Sequence, residues 1–538
     1  MRIWIACLSL CATTLLSTAQ TNLAAATRPL SLQECIAIAL KHNFDVKISR
    51  FAPQIERFEL SALYGAYDPV FTTSGEHNYS LSSGGVDPEG RTFSGTETDS
   101  DTITAGLSGL LPWGTFYNLG GSITDQTGTR PSTTIDRSSF TLNTNVIFGP
   151  GGLPTGEFLI STNFSTRTVR SPFETTSGRA GVLSLQQPLL RDFWIDATRL
   201  SISLQKNQLR SSEITFRNDV MTTIRNVEIA YFNLISADEN VRVQEKALEL
   251  AERLLTENRK RVEVGALAPL DERQAEAEAA GSRAALLATR ALRDSQERVL
   301  KDLLSDDYTN SWAAVKILTT DKLLAVPQQH DLQESWRRGL ARNPRYQVEV
   351  ARITVDSTEQ SVRYRRNQLY PNLDVLGSVG YSGTGDEYSH ALHQIREREN
   401  PSWSFGAQFS VPLSRTAERN RLRSAKATRD VSVLQLQQLE QRTLIQIEND
   451  IANARSSFER VEATRQARLY RESALEAEQK KLENGKSTSF IVLQMQRDLT
   501  AASYDEITAL ADYNRYLAEL AYDEGASLER HQIDLSIR

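Results

Sequence analysis

The sequence predicts a mainly α-helical chain built as two tandem repeats, with its strands reserved for a membrane β-barrel. Three observations predict this. A short stretch recurs 300 positions later, a long helical segment carries an apolar seam at heptad spacing, and strand-like segments of about ten residues alternate apolar with polar side chains.

The recurring stretch is residues 32–43 (LQECIAIALKHN), which return as 332–343 (LQESWRRGLARN). Matches fall at Leu32/Leu332, Gln33/Gln333, Glu34/Glu334, Leu40/Leu340 and Asn43/Asn343. Each half then runs helix, YDP (Tyr67 to Pro69) or LYP (Leu369 to Pro371), alternating strand, and a very long helix. Repeat 1 is placed at 28–304, an inter-repeat segment at 305–329, repeat 2 at 330–525 and a C-terminal tail at 526–538. Only 16 prolines interrupt 538 residues and no linker-like tract divides them, which favours one body over separate domains. The net charge of −6 supplies no basic field for nucleic acid.

At the N-terminus, Arg2 precedes an apolar stretch from Ile3 to Leu16, and Ser17 and Ala19 suit the −3 and −1 positions of a cleavage site. Residues 1–19 are therefore read as an export signal. Lipidation at Cys11 is the competing reading, against which stands the bulky Leu10 before it. Cleavage after Ala19 leaves Cys35 as the sole cysteine, so packing or oligomerisation must hold the fold without an intrachain disulfide.

No later segment offers the roughly 20 apolar residues of a membrane helix. A membrane section must then be a closed barrel, because an open sheet edge in lipid leaves backbone groups unpaired. In the first half, strands are expected at 101–111, 115–124, 139–148, 158–166 and 181–190; in the second, at 373–382 and 403–413.

From Ile195 to Val262 there is neither proline nor glycine, and Val220, Val227, Leu234, Val241, Leu248, Leu255 and Val262 fall seven apart. Ala230, Ala237 and Ala251 add small residues beside that seam. A second rod, 416–484, repeats the pattern with Leu444, Ile447, Ile451, Ala454, Phe458 and Val461. At about 1.5 Å per residue such rods reach on the order of 100 Å. Gly265 and Gly485 mark the turns into return helices at 271–304 and 489–525, since glycine is the usual left-handed cap.

Signal, tandem halves, strands between helices, two rods and two glycine turns together resemble the TolC family of outer-membrane efflux channels over essentially the whole mature chain. The resemblance implies a homotrimer, with four strands per protomer in a shared twelve-stranded outer-membrane barrel and long antiparallel coiled-coil helices in a periplasmic α-barrel. It implies a passive exit duct for small molecules or type I secretion, with outer-membrane lipid, a periplasmic adaptor and an inner-membrane transporter as partners. It implies no cofactor, no bound metal and no nucleic acid.

The adaptor is expected at the turns Val264, Gly265, Ala266 and Leu267, and Asn484, Gly485, Lys486 and Ser487. Relatives carry acidic residues after the second turn, in a pattern like VDVLDA, to constrict the closed end. Here Ile491 and Gln494 stand at those places, whereas the first repeat keeps Asp271. Asp271 and Gln494 are the candidate gate positions. The surplus of first-half strands is expected to form a longer extracellular hairpin or a plug-like loop, with residues 149–152 at a turn.

Other constellations are sparse. His390 and His393 are placed in a loop, and the run Arg415, Arg419, Arg421, Arg423, Lys426 and Arg429 suits either anionic lipid head groups or a solvated helix face. Nothing resembles a nucleophile elbow or a phosphate loop, so no enzyme is expected. A surface fibre of coiled coils on a β anchor is the alternative function; the duplicated antiparallel returns favour a pore.

Overall fold

The computed structural model describes residues 26–87, 90–148, 154–265, 267–341 and 346–533. The export signal with Cys11, the turn at 149–152, Ala266, Asn343 and the end of the tail lie outside them. In chain order, β1 (Ala26–Leu30) leads into α1 (Leu32–His42), α2 (Phe44–Ser49) and α3 (Phe51–Tyr64). Strands β2 (Val70–Leu81), β3 (Gly85–Val86), β4 (Thr92–Phe93), β5 (Glu97–Leu110), β6 (Phe116–Phe148) and β7 (Pro154–Pro188) follow. The first half continues with α4 (Ala197–Glu263), α5 (Pro269–Leu304), α6 (Tyr308–Ser311) and β8 (Val315–Thr319). The second half holds α7 (Leu332–Ala341), α8 (Tyr346–Asn367), β9 (Asn372–Gly385), α9 (Tyr388–Arg396), β10 (Asn400–Ser410), α10 (Thr416–Glu483), α11 (Ser489–Asp523) and α12 (Ser527–Arg530).

The recurring Leu-Gln-Glu is a helix start. Before α1, the Ser31 side chain accepts from the Glu34 N–H at 3.3 Å and the Glu34 carboxylate accepts from the Ser31 N–H at 2.8 Å, a capping box. Before α7, Asp331 takes the cap role toward the Gln333 N–H at 3.0 Å, and Glu334 turns to Arg337 instead.

Two compact units make up the chain, one holding Arg57–Gln208 and Thr354–Ser432, the other holding the remainder. The first is built on an antiparallel sheet in the order β10-β9-β7-β6-β5-β2. Six strands lie side by side in it, where the resemblance implied four per protomer in a barrel with the surplus of the first half outside it. Residues 115–124 and 139–148 are one strand, β6, and 158–166 and 181–190 are one strand, β7, because the two pair along their whole length. Pro131 is tolerated inside β6 because Thr129 is the last residue paired with β5, beyond which that side of β6 is an edge. Sequence reading missed β2, whose Thr, Ser, Gly, His and Asn hide its period. His390 and His393 are also relocated, since they lie on α9 rather than in a loop, with His390 Nδ1 2.6 Å from the Asp386 carboxylate.

In the second unit, β1 and β8 form a parallel pair from Ala26↔Val315 to Leu30↔Thr319. Its core joins Cys35, Ile36, Val220, Ile224, Val227, Tyr231, Leu234, Leu300 and Ile317. Burial pushes the Cys35 thiol up to about 12, so it packs as a small apolar side chain rather than reacting as a thiolate. On α4 the heptad seam is fully buried at Val220, Val227 and Leu234 but half-buried at Val241, Leu248, Leu255 and Val262. The line that stays buried is Ala230, Ala237, Gln244, Ala251 and Asn258, also seven apart. Toward the C-terminal end of α4 the packed face is therefore this row, three positions on from the seam.

Helices α4 and α5 run antiparallel with a ladder of ion pairs. Asp238, Glu245, Glu252 and Arg259, seven apart on α4, meet Arg293 at 2.8 Å, Arg290 at 2.7 Å, Arg283 at 2.7 Å and Glu272 at 3.1 Å. The exposed rungs contribute little stability, at about 0–1 kcal/mol each, but they set register. The innermost rung is different. Arg293, Glu297 and Lys301 are all buried, and Glu297 accepts from the Ile317 N–H at 2.9 Å while Arg293 donates to the Ile317 C=O at 2.9 Å. This network ties β8 to α5.

On α10 the buried line is Thr443, Ile447, Asp450, Ala454, Ser457 and Val461. Asp450 faces Asp523 of α11, also buried, and desolvation followed by their shared hydrogen bond pushes its carboxyl up to about 8. Below about pH 4 the carboxyl is neutral in folded and unfolded chains alike. As pH rises toward 8, only the unfolded chain ionises, so this group's contribution to stability declines. Asp450→Asn is expected to raise the melting temperature at pH 8, by about 2–4 °C for each kcal/mol relieved, and to flatten the fall between pH 4 and 8. Circular dichroism melts at both pH values check this; unchanged pH dependence would remove Asp450 from the account.

Candidate docking tips and gate

The first turn forms because Gly265 takes a left-handed backbone that ends α4. The Val264 N–H still reaches the Lys260 C=O at 3.2 Å, and the Gly265 N–H closes on the Val262 C=O at 2.9 Å. Gly265 has φ +76°, where any other residue is strained by about 1–2 kcal/mol. An added Cβ would meet nothing within 4 Å, so the backbone, not space, demands glycine. Pro269 then stands at the first position of α5, with Asp271 and Glu272 in its first turn, where the helix dipole favours acids.

The second turn repeats this design with different polar trim. Gly485 has φ +68°, its N–H reaches the Leu482 C=O at 3.1 Å, and the Lys486 N–H reaches the Lys481 C=O at 2.8 Å, a Schellman closure. The Asn484 side chain donates to the Lys480 C=O at 2.7 Å. The Ser487 hydroxyl donates to the Glu478 carboxylate at 2.5 Å, and that bond, followed by the one from Lys481, holds the Glu478 carboxyl below its ordinary range.

One residue that sequence reading did not single out joins the two turns. Asn258, the last of the buried row on α4, donates to the Asp271 C=O at 3.4 Å and accepts from the Ser489 hydroxyl at 3.1 Å. It therefore links the starts of both return helices. Its signal was present in the sequence, as an amide in a seven-residue row otherwise occupied mainly by alanine. Beside it, Leu254, Leu475, Leu482, Val492 and Leu493 pack as a cluster shared by both repeats, and the Arg261 guanidinium donates to the Leu482 C=O at 3.4 Å.

The turns present apolar side chains outward among polar ones. Val264 is 78% exposed, Leu270 65% and Phe490 58%, with the bare backbone of the two glycines between such side chains. Leu267 and Ser487 are half-buried, whereas Asn484 and Lys486 are exposed.

The gate candidates occupy different settings. Asp271 is half-buried in the first turn of α5, and Gln494 is exposed in the second turn of α11, beside exposed Ile491. Several charges nearby are paired. Arg497 of α11 clasps Glu278 of α5 at 2.9 and 3.0 Å, and the Asp498 carboxylate meets Arg471. The Arg497–Glu278 pair thus bridges the two return helices. Among the described residues no group of acidic, histidine and cysteine side chains is arranged to hold a metal ion.

The model of the "outer membrane efflux protein" family matches residues 154–305 and 338–522, covering both helical hairpins. The outer membrane protein TolC of Escherichia coli is 24% identical over 328 residues, which is 60% of this chain and 64% of that protein. Among solved structures, the CmeC outer membrane channel of Campylobacter jejuni superposes with a TM-score of 0.61 at 14% identity, covering 94% of this chain and 90% of that one. The outer membrane protein VceC of Vibrio cholerae gives 0.60 at 15% identity, covering 92% and 96%. At these identities the structural likeness establishes the fold, while the family match spans more than half the chain and both repeats. The chain belongs to the outer membrane efflux protein family and takes the outer-membrane location that this family carries.

Proposed function

We propose that the protein is a passive exit duct, a homotrimer that gives an exported cargo a water-filled path across the outer membrane and draws its driving force from elsewhere. The observation that carries this reading is the family match over both hairpins, each closed by a glycine turn. A periplasmic adaptor docks on the exposed Val264, Gly265 and Phe490 surface and on Asn484 to Ser487, and an inner-membrane transporter behind it supplies energy and chooses the cargo. Docking opens the duct by loosening the joint at Asn258 and the Arg497–Glu278 clasp. Photocrosslinkers placed at Leu267 and Ser487 in living cells test the docking. Capture of an adaptor is expected; capture of lipid, peptidoglycan or the protein's own copies alone would count against it.

The gate is the finer part of the same reading. Three Asp271 carboxylates, one per protomer, set a preference for cations at the closed end. Asp271→Asn should bring the cation-to-anion permeability ratio of purified trimers toward unity. An unchanged ratio would mean that Asp271 serves only as a favourable acid at a helix start.

A further inference from the structure

We propose that all six strands, the β5–β6 hairpin included, form the wall of the membrane barrel, so that three copies close a ring of eighteen strands with β2 of one copy paired to β10 of the next. The trimer rests on the duct reading above; the six-stranded wall rests on the register of the sheet.

Residues directly opposite in paired strands share a face. Followed across the sheet, Phe71, Leu107, Leu119, Leu183, Val379 and Trp403 make one row, with one residue from each strand. The adjoining row on the other face is Val70, Ser108, Asn118, Ser184, Ser378 and Ser404. Further along that face lie Ser74, Thr104, Ser122, Arg179, Ser382 and Asn400. One face is therefore apolar and the other polar over all six strands, the division a barrel wall needs between lipid and a water-filled lumen. A plug or a surface loop would give β5 and β6 no reason to align Leu107 and Leu119 with the apolar row of β7, β9 and β10.

Two local features keep that division intact. Gly181, with φ +62°, is an extra residue in β7 that opposes no single partner in β6 or β9. Without it, every side chain of β7 beyond that point would change face. The apolar band also ends where a lipid-facing band should, since Ile103 opposite Ile123 is followed by Asp101 opposite Asp125, with His77 3.0 Å from Asp101.

The edges say what covers them. Every neighbouring pair is antiparallel, so with six strands β2 and β10 run in opposite directions, and β10 of a second copy continues the alternation against β2. Both edge strands are exposed almost throughout, and in lipid their free backbone groups require a partner strand. Helix α9 sits on the apolar face, where a Cβ on Gly178 would lie 3.0 Å from Ile395 Cδ1 and 3.7 Å from Ile123 Cγ1. It therefore lies against the outside of the wall and leaves the lumen clear. Diameter grows about linearly with strand number, so eighteen strands give a barrel about 1.5-fold wider than twelve.

Spin labels read the wall directly. With Cys7, Cys11 and Cys35 replaced by alanine, the full-length protein would carry Ala105→Cys, Leu119→Cys, Thr104→Cys or Asn118→Cys, with Phe405→Cys of β10 as a lipid-facing control. In liposomes, labels at 105 and 119 should match 405, colliding several-fold more with oxygen than with an aqueous nickel chelate, and labels at 104 and 118 should show the reverse. Intact trimers in which 105 and 119 are as nickel-accessible as 104 and 118 would overturn the six-stranded wall and leave the duct standing. A mass for the unlabelled oligomer other than a trimer would overturn the duct reading itself, and with it the count of eighteen.

Discussion

Arginine in place of Gly485, or separately of Gly265, is expected to reduce export to the level of a deletion strain while trimers still reach the outer membrane. The strain of a side chain at positive φ is about 1–2 kcal/mol, small beside the 5–15 kcal/mol by which a domain is typically stable. Assembly should survive that. The lost function comes from bulk and charge set among Val264, Leu270 and Phe490, where the tips otherwise offer apolar side chains and open backbone. Alanine at the same positions separates the causes, because it brings the strain without the bulk and should retain most export. Cargo release and outer-membrane trimer abundance, measured side by side, check the prediction. Full export from both arginine variants would end the proposal that the tips are the docking surface.

The largest stability effect is expected at Glu297, far along the chain from either tip. Its carboxylate accepts from the Ile317 N–H at 2.9 Å and lies 2.8 Å from Lys301 Nζ, while also meeting the Arg293 guanidinium, all of them buried. Glu297→Ala leaves the buried Lys301 ammonium and the Ile317 N–H without their acceptor and takes one of two carboxylates from buried Arg293, a loss of about 3–5 kcal/mol. Removing the charges together, by Glu297→Leu with Arg293→Met and Lys301→Met, should cost less than the single change, since no buried cation is left behind and Asp238, which loses Arg293, is only half-buried and reaches water. Urea unfolding of the three proteins decides it. A single variant no less stable than the triple one would show that packing, not charge compensation, governs this site.

Much of the helical half of the fold was legible because its signals are local. A 67-residue helix such as α4 announces itself by heptads and by the absence of proline and glycine, and Gly265 and Gly485 announce its end and that of α10 through the left-handed cap. The sheet was less legible because strand identity depends on partners. Pro131 looks like a break until β6 is seen to have lost β5 as a neighbour there, and β2 has too few apolar residues to declare a period. Arg293, Glu297 and Lys301 read as ordinary i, i+4 pairs on a solvated helix, and only the arrival of β8 from a later segment buries them. Asn258 carried a faint signal, an amide in a row that is mainly alanine, whose meaning depends on Asp271 and on Ser489, which lies 231 positions away.

The central claim is a continuous water-filled path through an oligomer of this chain, and current across a planar lipid bilayer tests it most directly. Purified full-length trimers added to one side should produce discrete, uniform steps of ionic current, each marking the insertion of one trimer, and Asp271→Asn should alter their ion selectivity. Trimers shown by flotation to have entered the bilayer, with current no greater than that of the bare membrane, would contradict the duct.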